Sequence, residues 1–335
     1  MADQTASTIS TVDPYQYLHV VPNPDGTMTR LLVPPIAPPT SDPNHHTQVL
    51  SKDVSINQSN NTWVRIFLPR EALDNSSSTS KKNKLPLIVF FHGGGFILFS
   101  AGSSNFHDFC VNMTIETQII IASIEYRLAP EHRLPAAYDD AMEALHWIKT
   151  SGDDWLTNYA DYSNCFLMGS SAGANIAYHA GLRASAQVDR FDPIKIRGLI
   201  LQQPFFGGTR RTNSELRLRN DPFLPPCVTD LLWDLSLPIG VDRDHEYCNL
   251  TVESESFELL DRIRLLGWRV LVTGCDGDPL IDRQMELVKL LEKKGVQVVG
   301  HFSEGGYHGV VVREPEKGTQ FYGLLKNFIL SSLPA

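Results

Sequence analysis

The run Cys165-Phe166-Leu167-Met168-Gly169-Ser170-Ser171-Ala172-Gly173 decides the fold. Its first four residues are apolar and suit a buried strand, residues 169–173 read G-x-S-x-G, and residues 173–185 continue as a helix rich in small residues. A chain that turns directly from strand to helix tolerates only small neighbours at the turn. The Ser171 hydroxyl is then exposed at a helix N-terminus, where unpaired N–H groups face incoming negative charge. Taken alone, the pentapeptide is equally a small-residue turn whose serine caps the helix.

Working outward, strands and helices alternate. Residues 63–68 place Val64, Ile66 and Leu68 on one side, as a strand does, and residues 87–91 are continuously apolar, as in a strand covered on both faces. Strands are expected at 119–123, 165–168, 196–202, 269–273 and 296–302. Helices are expected at 136–150, 173–185, 282–294 and 319–330. This alternation predicts an α/β fold with one mostly parallel sheet, helices on both faces and a ligand site at the carboxyl ends of the strands. The polar stretch 74–84 reads as a solvated hairpin loop. Two regions break the rhythm, the Pro-rich residues 14–43 and the segment 204–250. Together they are expected to form a helical cap, approximately 1–45 and 204–250, on a single domain spanning 1–335.

Directly after residues 87–91 comes His92-Gly93-Gly94-Gly95-Phe96. Three glycines let the backbone approach a ligand and aim N–H groups at a developing oxyanion, so Gly93, Gly94 and Gly95, with the Ala172 N–H, are candidate oxyanion donors. A phosphate loop is disfavoured because no Walker-type Lys follows and G-x-G-x-x-G is absent. His92 reads as a structural residue that fixes the loop.

An activated serine needs a base and an orienting acid, in the chain order Ser, acid, His for this type of sheet. His308 follows the last predicted strand in Gly305-Gly306-Tyr307-His308-Gly309, whereas His245 lies in the suspected cap and His301 within a strand. Asp278 follows the strand 269–273 in Asp276-Gly277-Asp278-Pro279 and is the candidate acid. Asp276 is the serious rival, and Asp282 reads as the N-cap of the next helix.

The bulk properties narrow the function. A chain of 335 residues with 42% hydrophobic content buries a large core. A net charge of -9 with no long basic run argues against nucleic acid and favours a neutral or cationic small molecule. The five cysteines are scattered without metal or redox spacing, and no apolar run reaches the ~20 residues of a membrane helix. Reduced thiols, a cytoplasmic location, a monomer without stable membrane association, and no metal or cofactor are expected.

With Tyr126-Arg127-Leu128-Ala129-Pro130-Glu131 and Asp278-Pro279-Leu280-Ile281-Asp282-Arg283-Gln284 added, the chain resembles plant carboxylesterases of the hormone-sensitive-lipase-like group. That resemblance implies an α/β-hydrolase fold, Ser171, Asp278 and His308 as triad, the glycine loop plus Ala172 as oxyanion hole, and small esters as substrates. Arg127 and Glu131 look like part of the family's framework. One departure is Ser170, where relatives usually carry Asp or Glu. Similar proteins that act as gibberellin receptors lack the histidine, and others work as dehydratases or cyclases; these are the alternative readings, the first disfavoured by His308.

Overall fold

The computed structural model describes residues 13–44, 46–74, 84–252 and 256–333. Its centre is an eight-stranded sheet. The strands are β1 Val49–Asn57, β2 Thr62–Pro69, β3 Leu85–Phe91, β4 Ile120–Glu125, β5 Ala160–Ser170, β6 Ile196–Gln202, β7 Arg269–Cys275 and β8 Gln297–Ser303. Their spatial order is β8-β7-β6-β5-β3-β4-β2-β1. Every pairing is parallel except those of β2 with β1 and with β4.

The principal helices are α1 Ser104–Thr117, α2 Ala136–Thr150, α3 Ala172–Ser185, α4 Pro226–Ser236, α5 Ser256–Leu265, α6 Ile281–Lys293, α7 Val310–Arg313 and α8 Thr319–Ser332. Along β3, Leu87, Val89 and Phe91 enter one apolar layer with residues of α2, α3, α5 and α6, whereas Ile88 and Phe90 enter the other with α1 and α8. Both faces are therefore covered, which explains why β3 is continuously apolar rather than alternating. Each such side chain stabilises the fold by about 1.5–3 kcal/mol when fully buried. Among the described residues no helix is long and apolar enough to cross a membrane.

Two expectations need correction. The segment 74–84 is not a hairpin turn: β4 lies between β2 and β3, so the connection crosses over a strand, and residues 75–83 lie outside the described residues. Asp282 does not cap α6, which begins at Ile281 behind Leu280; its carboxylate instead accepts the Ser214 N–H at 2.8 Å. Several elements also went unforeseen, among them strand β1 and helices α1, α5 and α7. Strand β1 lies at the sheet edge, where Lys52, Asp53 and Ser55 interrupt an apolar pattern. Helix α1 buries Phe106, Phe109, Cys110, Met113 and Thr117, a helical spacing that was present in the sequence.

Above the strand ends, the N-terminal segment and residues 204–250 meet. The Tyr17 hydroxyl donates to the Pro222 carbonyl. Arg30 binds the Ile97 carbonyl at 2.6 Å and pairs with Glu131 at 2.8 Å, which ties the N-terminal segment to the chain after β4. Arg127 pairs with the buried Asp140 of α2 at 2.7 Å. Both residues therefore serve the framework.

Candidate active site

Ser171 sits between β5 and α3 with φ +56° and ψ -118°, a conformation that costs a non-glycine residue free energy on the order of 1–3 kcal/mol. The surroundings enforce it. Its N–H donates to the Gln202 carbonyl at 2.9 Å, and its carbonyl accepts from Ala174, Asn175 and Phe205. A Cβ on Gly173 would lie 2.0 Å from the Phe91 carbonyl oxygen, and one on Gly169 would lie 2.0 Å from that of Gly173. The small residues thus allow β3, β5 and α3 to converge under the serine.

Ser171, His308 and Asp278 come together from loops after β5, β8 and β7. His308 Nε2 lies 2.8 Å from Ser171 Oγ, and His308 Nδ1 lies 2.8 Å from Asp278 Oδ2. The Asp278 side chain is fully buried and the His308 side chain nearly so. With a carboxylate facing Nδ1, that nitrogen carries the proton and Nε2 is left as an acceptor toward the serine. The rivals lie elsewhere: exposed Asp276 accepts the Gly305 N–H at 2.6 Å, His245 accepts from the Tyr247 N–H, and His301 remains in β8.

Two glutamines that the motif reading passed over hold this arrangement. Gln203 Nε2 donates to Asp278 Oδ2 at 3.0 Å and to the Tyr307 carbonyl at 3.2 Å, while its Oε1 accepts the Gly309 N–H at 2.8 Å. Gln203 therefore grips the acid and the backbone on both sides of His308. Gln284 Nε2 donates to the same Oδ2 at 2.9 Å, and the Leu280 N–H binds Oδ1 at 2.9 Å. The sequence signals were a polar pair, Gln202-Gln203, at the carboxyl end of a strand and, for Gln284, its place at the end of the stretch 278–284, and neither points to Asp278.

Across from the serine, Gly94 and Gly95 adopt φ of +118° and +61°. Among the described residues the N–H groups of Gly94, Gly95 and Ala172 donate to no backbone carbonyl. Gly93 passes so close that a Cβ there would lie 3.3 Å from that of Ser171. His92 is fully buried, stacks on Tyr126 at 4.3 Å and lies with Nδ1 2.8 Å from the Gly93 carbonyl. Burial lowers its pKa to about 4, so the ring is neutral at pH 7 and its role is to brace the loop. Burial likewise raises Glu125 to about 7. The cavity above Ser171 measures about 520 Å³ and is mostly apolar, with Leu18 and Leu32 from the N-terminal segment and Phe205, Leu224, Val228 and Leu232 from the later insertion. Leu232 of α4 packs on the glycine loop, since a Cβ on Gly95 would lie 2.5 Å from its Cδ2, and the Ser236 hydroxyl lies 3.3 Å from the Gly95 carbonyl. Among the described residues no group of three His, Cys, Asp or Glu side chains is disposed to hold a metal ion.

The arrangement is chemically that of an activated serine facing prearranged amides, and comparison with known proteins places the fold. Residues 88–312 match the family described as alpha/beta hydrolase fold. A Pyrobaculum calidifontis esterase superposes with a TM-score of 0.68 at 24% identity, with 85% of each chain covered, which establishes the shared fold. Carboxylesterase 20 of Arabidopsis thaliana is 52% identical over 96% of this chain and 98% of its own length. A 3-O-acetylpapaveroxine carboxylesterase of Papaver somniferum is 45% identical over 95% and 98%. The chain belongs to the α/β-hydrolase family and, within it, to the plant carboxylesterases.

Proposed function

We propose that this protein is a serine carboxylesterase that hydrolyses small carboxylic esters through an acyl-enzyme. The observation that carries the reading is the continuous hydrogen-bonded chain Ser171–His308–Asp278, with 2.8 Å at each link. His308 Nε2 takes the Ser171 proton as Oγ bonds to the ester carbonyl carbon. The tetrahedral oxyanion is received by N–H groups of Gly93, Gly94, Gly95 and Ala172, where each donor is worth about 3 kcal/mol. The imidazolium then returns its proton to the departing alkoxide, leaving an acyl group on Ser171. A water molecule, deprotonated by the same nitrogen, releases the carboxylic acid. Asp278 holds the tautomer and stabilises the cation, and Gln203 and Gln284 hold Asp278.

The N-terminal segment and residues 204–250 act as the cap over this site, a reading supported by the Tyr17–Pro222 bond and by their shared lining of the cavity. A cavity of about 520 Å³ suits a small ester. We place the enzyme in the cytoplasm as a monomer, in keeping with five cysteines that are all unpaired. The test uses short-chain 4-nitrophenyl esters and an organophosphate. The wild-type protein is expected to hydrolyse the esters and to be labelled once, at Ser171, while Ser171→Ala does neither at an unchanged melting temperature. A folded wild type inert to both reagents overturns the reading.

Asp278→Asn separates charge from tautomer. Three donors, from His308, Gln203 and Gln284, converge on Oδ2, and one, the Leu280 N–H, meets Oδ1. The carboxamide therefore keeps its oxygen toward His308 and turns its NH2 to Leu280, so Nε2 remains an acceptor. The loss is that of the carboxylate charge, and kcat is expected to fall about 10²–10³-fold. One buried N–H loses its acceptor, at a cost of about 1–3 kcal/mol in stability. A kcat within threefold of wild type would contradict the role given to Asp278.

A further inference from the structure

We propose that Arg313 is an anion-recognising residue that directs this site toward apolar esters bearing a carboxylate away from the scissile bond. The inference rests on the esterase reading and deepens it. Arg313 ends α7, one helical turn beyond His308, and its N–H donates to the carbonyl of Gly309, the residue after the base. It lines the same cavity as Ser171 and His308, whose other walls are largely aliphatic or aromatic.

The position of the guanidinium is defined on its apolar side. Its Cζ lies 5.4 Å from the centre of the Phe223 ring, which stacks on Tyr307 at 4.0 Å with the planes 13° apart. The exposed cation is thus seated against an aromatic pair beside the cavity, a contact that leaves its N–H groups free to bond elsewhere. The charge is also uncommitted. Among the described residues no carboxylate lies within ion-pair distance of Arg313.

The acids nearby are engaged otherwise. Glu314, next in sequence, accepts the Tyr307 hydroxyl at 2.5 Å on one oxygen and pairs with Lys317 at 2.7 Å on the other. Asp221, which like Arg313 lies near Tyr17, accepts the N–H groups of Phe223 and Leu224 in its own turn. A planar five-donor cation with no carboxylate partner, fixed beside an apolar cavity, complements a substrate carboxylate in a two-bond geometry. The net charge of -9 had favoured neutral or cationic ligands, but a local cation at a rim with low-dielectric walls outweighs distant charge at contact range.

The test compares matched esters. On the acyl side the pair is 4-nitrophenyl hexanoate and the mono-4-nitrophenyl ester of adipic acid; on the alcohol side it is 4-methylbenzyl acetate and 4-(acetoxymethyl)benzoate. The anionic-to-neutral ratio of kcat/KM is expected to fall roughly fivefold or more in Arg313→Gln for one of the pairs, and further in Arg313→Glu, with the change carried by KM. Arg313→Lys is expected to recover part of the ratio, and raising the salt concentration to narrow it in wild type only.

A ratio that Arg313→Gln and Arg313→Glu leave unmoved in both pairs overturns the role of Arg313 while leaving the esterase reading intact. Failure of wild type to hydrolyse even the neutral esters counts against the esterase reading instead. In that event, calorimetric binding of the mono-amide of adipic acid reads the anion contact without turnover: binding lost in Arg313→Glu supports the proposal, and binding equal in both proteins overturns it.

Discussion

Replacing His308 by Ala is expected to lower kcat for ester hydrolysis by on the order of 10⁴–10⁶-fold with little change in stability. The Ser171 hydroxyl would lose its acceptor at 2.8 Å, and among the described residues no other imidazole is bonded to it. The fold should tolerate the change because Asp278 keeps its bonds from Gln203, Gln284 and Leu280 when the His308 bond is removed. The three groups act as a unit, so the double variant with Ser171→Ala should be no slower than either single variant. Steady-state turnover beside a thermal melt decides it. Activity retained within tenfold of wild type would remove His308 from the chemistry.

Gly173→Ala is expected to act in the opposite way, through stability. The added methyl group would lie 2.0 Å from the Phe91 carbonyl oxygen and 2.5 Å from that of His92, both backbone atoms at the end of a central strand. Neither atom can move without disturbing the β3 ladder, so the cost should exceed about 3 kcal/mol. Gly323→Ala supplies the contrast: its Cβ meets nothing within 4 Å inside α8, and the change should stabilise by about 0.5–1 kcal/mol. Denaturant melts of the two variants read both signs. A Gly173→Ala protein as stable as wild type would mean that the convergence of β3, β5 and α3 is looser than described.

The contrast between these sites reflects what the sequence could disclose. The strand, turn and helix around Ser171 were legible because they are contiguous, and each imposes its own residue pattern. Asp278 and His308 were legible because both follow apolar strands, and strand ends of a parallel sheet converge on one edge. The roles of Gln203 and Gln284 were not. Their bonds to Asp278 span 75 and 6 residues, and a glutamine carries no mark of its partner. Helix α1 was recoverable from the spacing of Phe106, Phe109, Cys110, Met113 and Thr117, whereas β1 was obscured by polar residues that an exposed edge requires. The antiparallel placement of β2 depends on which strand lies beside it, and that is a property of the assembled sheet.

The contact of Leu232 and Ser236 with Gly95 has a consequence for how this enzyme should be assayed. A bulky acyl or alcohol group that pushes α4 outward also loosens the Gly95 segment, which in the proposed mechanism presents an N–H to the developing charge. Tolerance for size and speed of the chemical step are then set by one shared contact, and a series of increasingly bulky esters should show declining turnover number even where affinity improves.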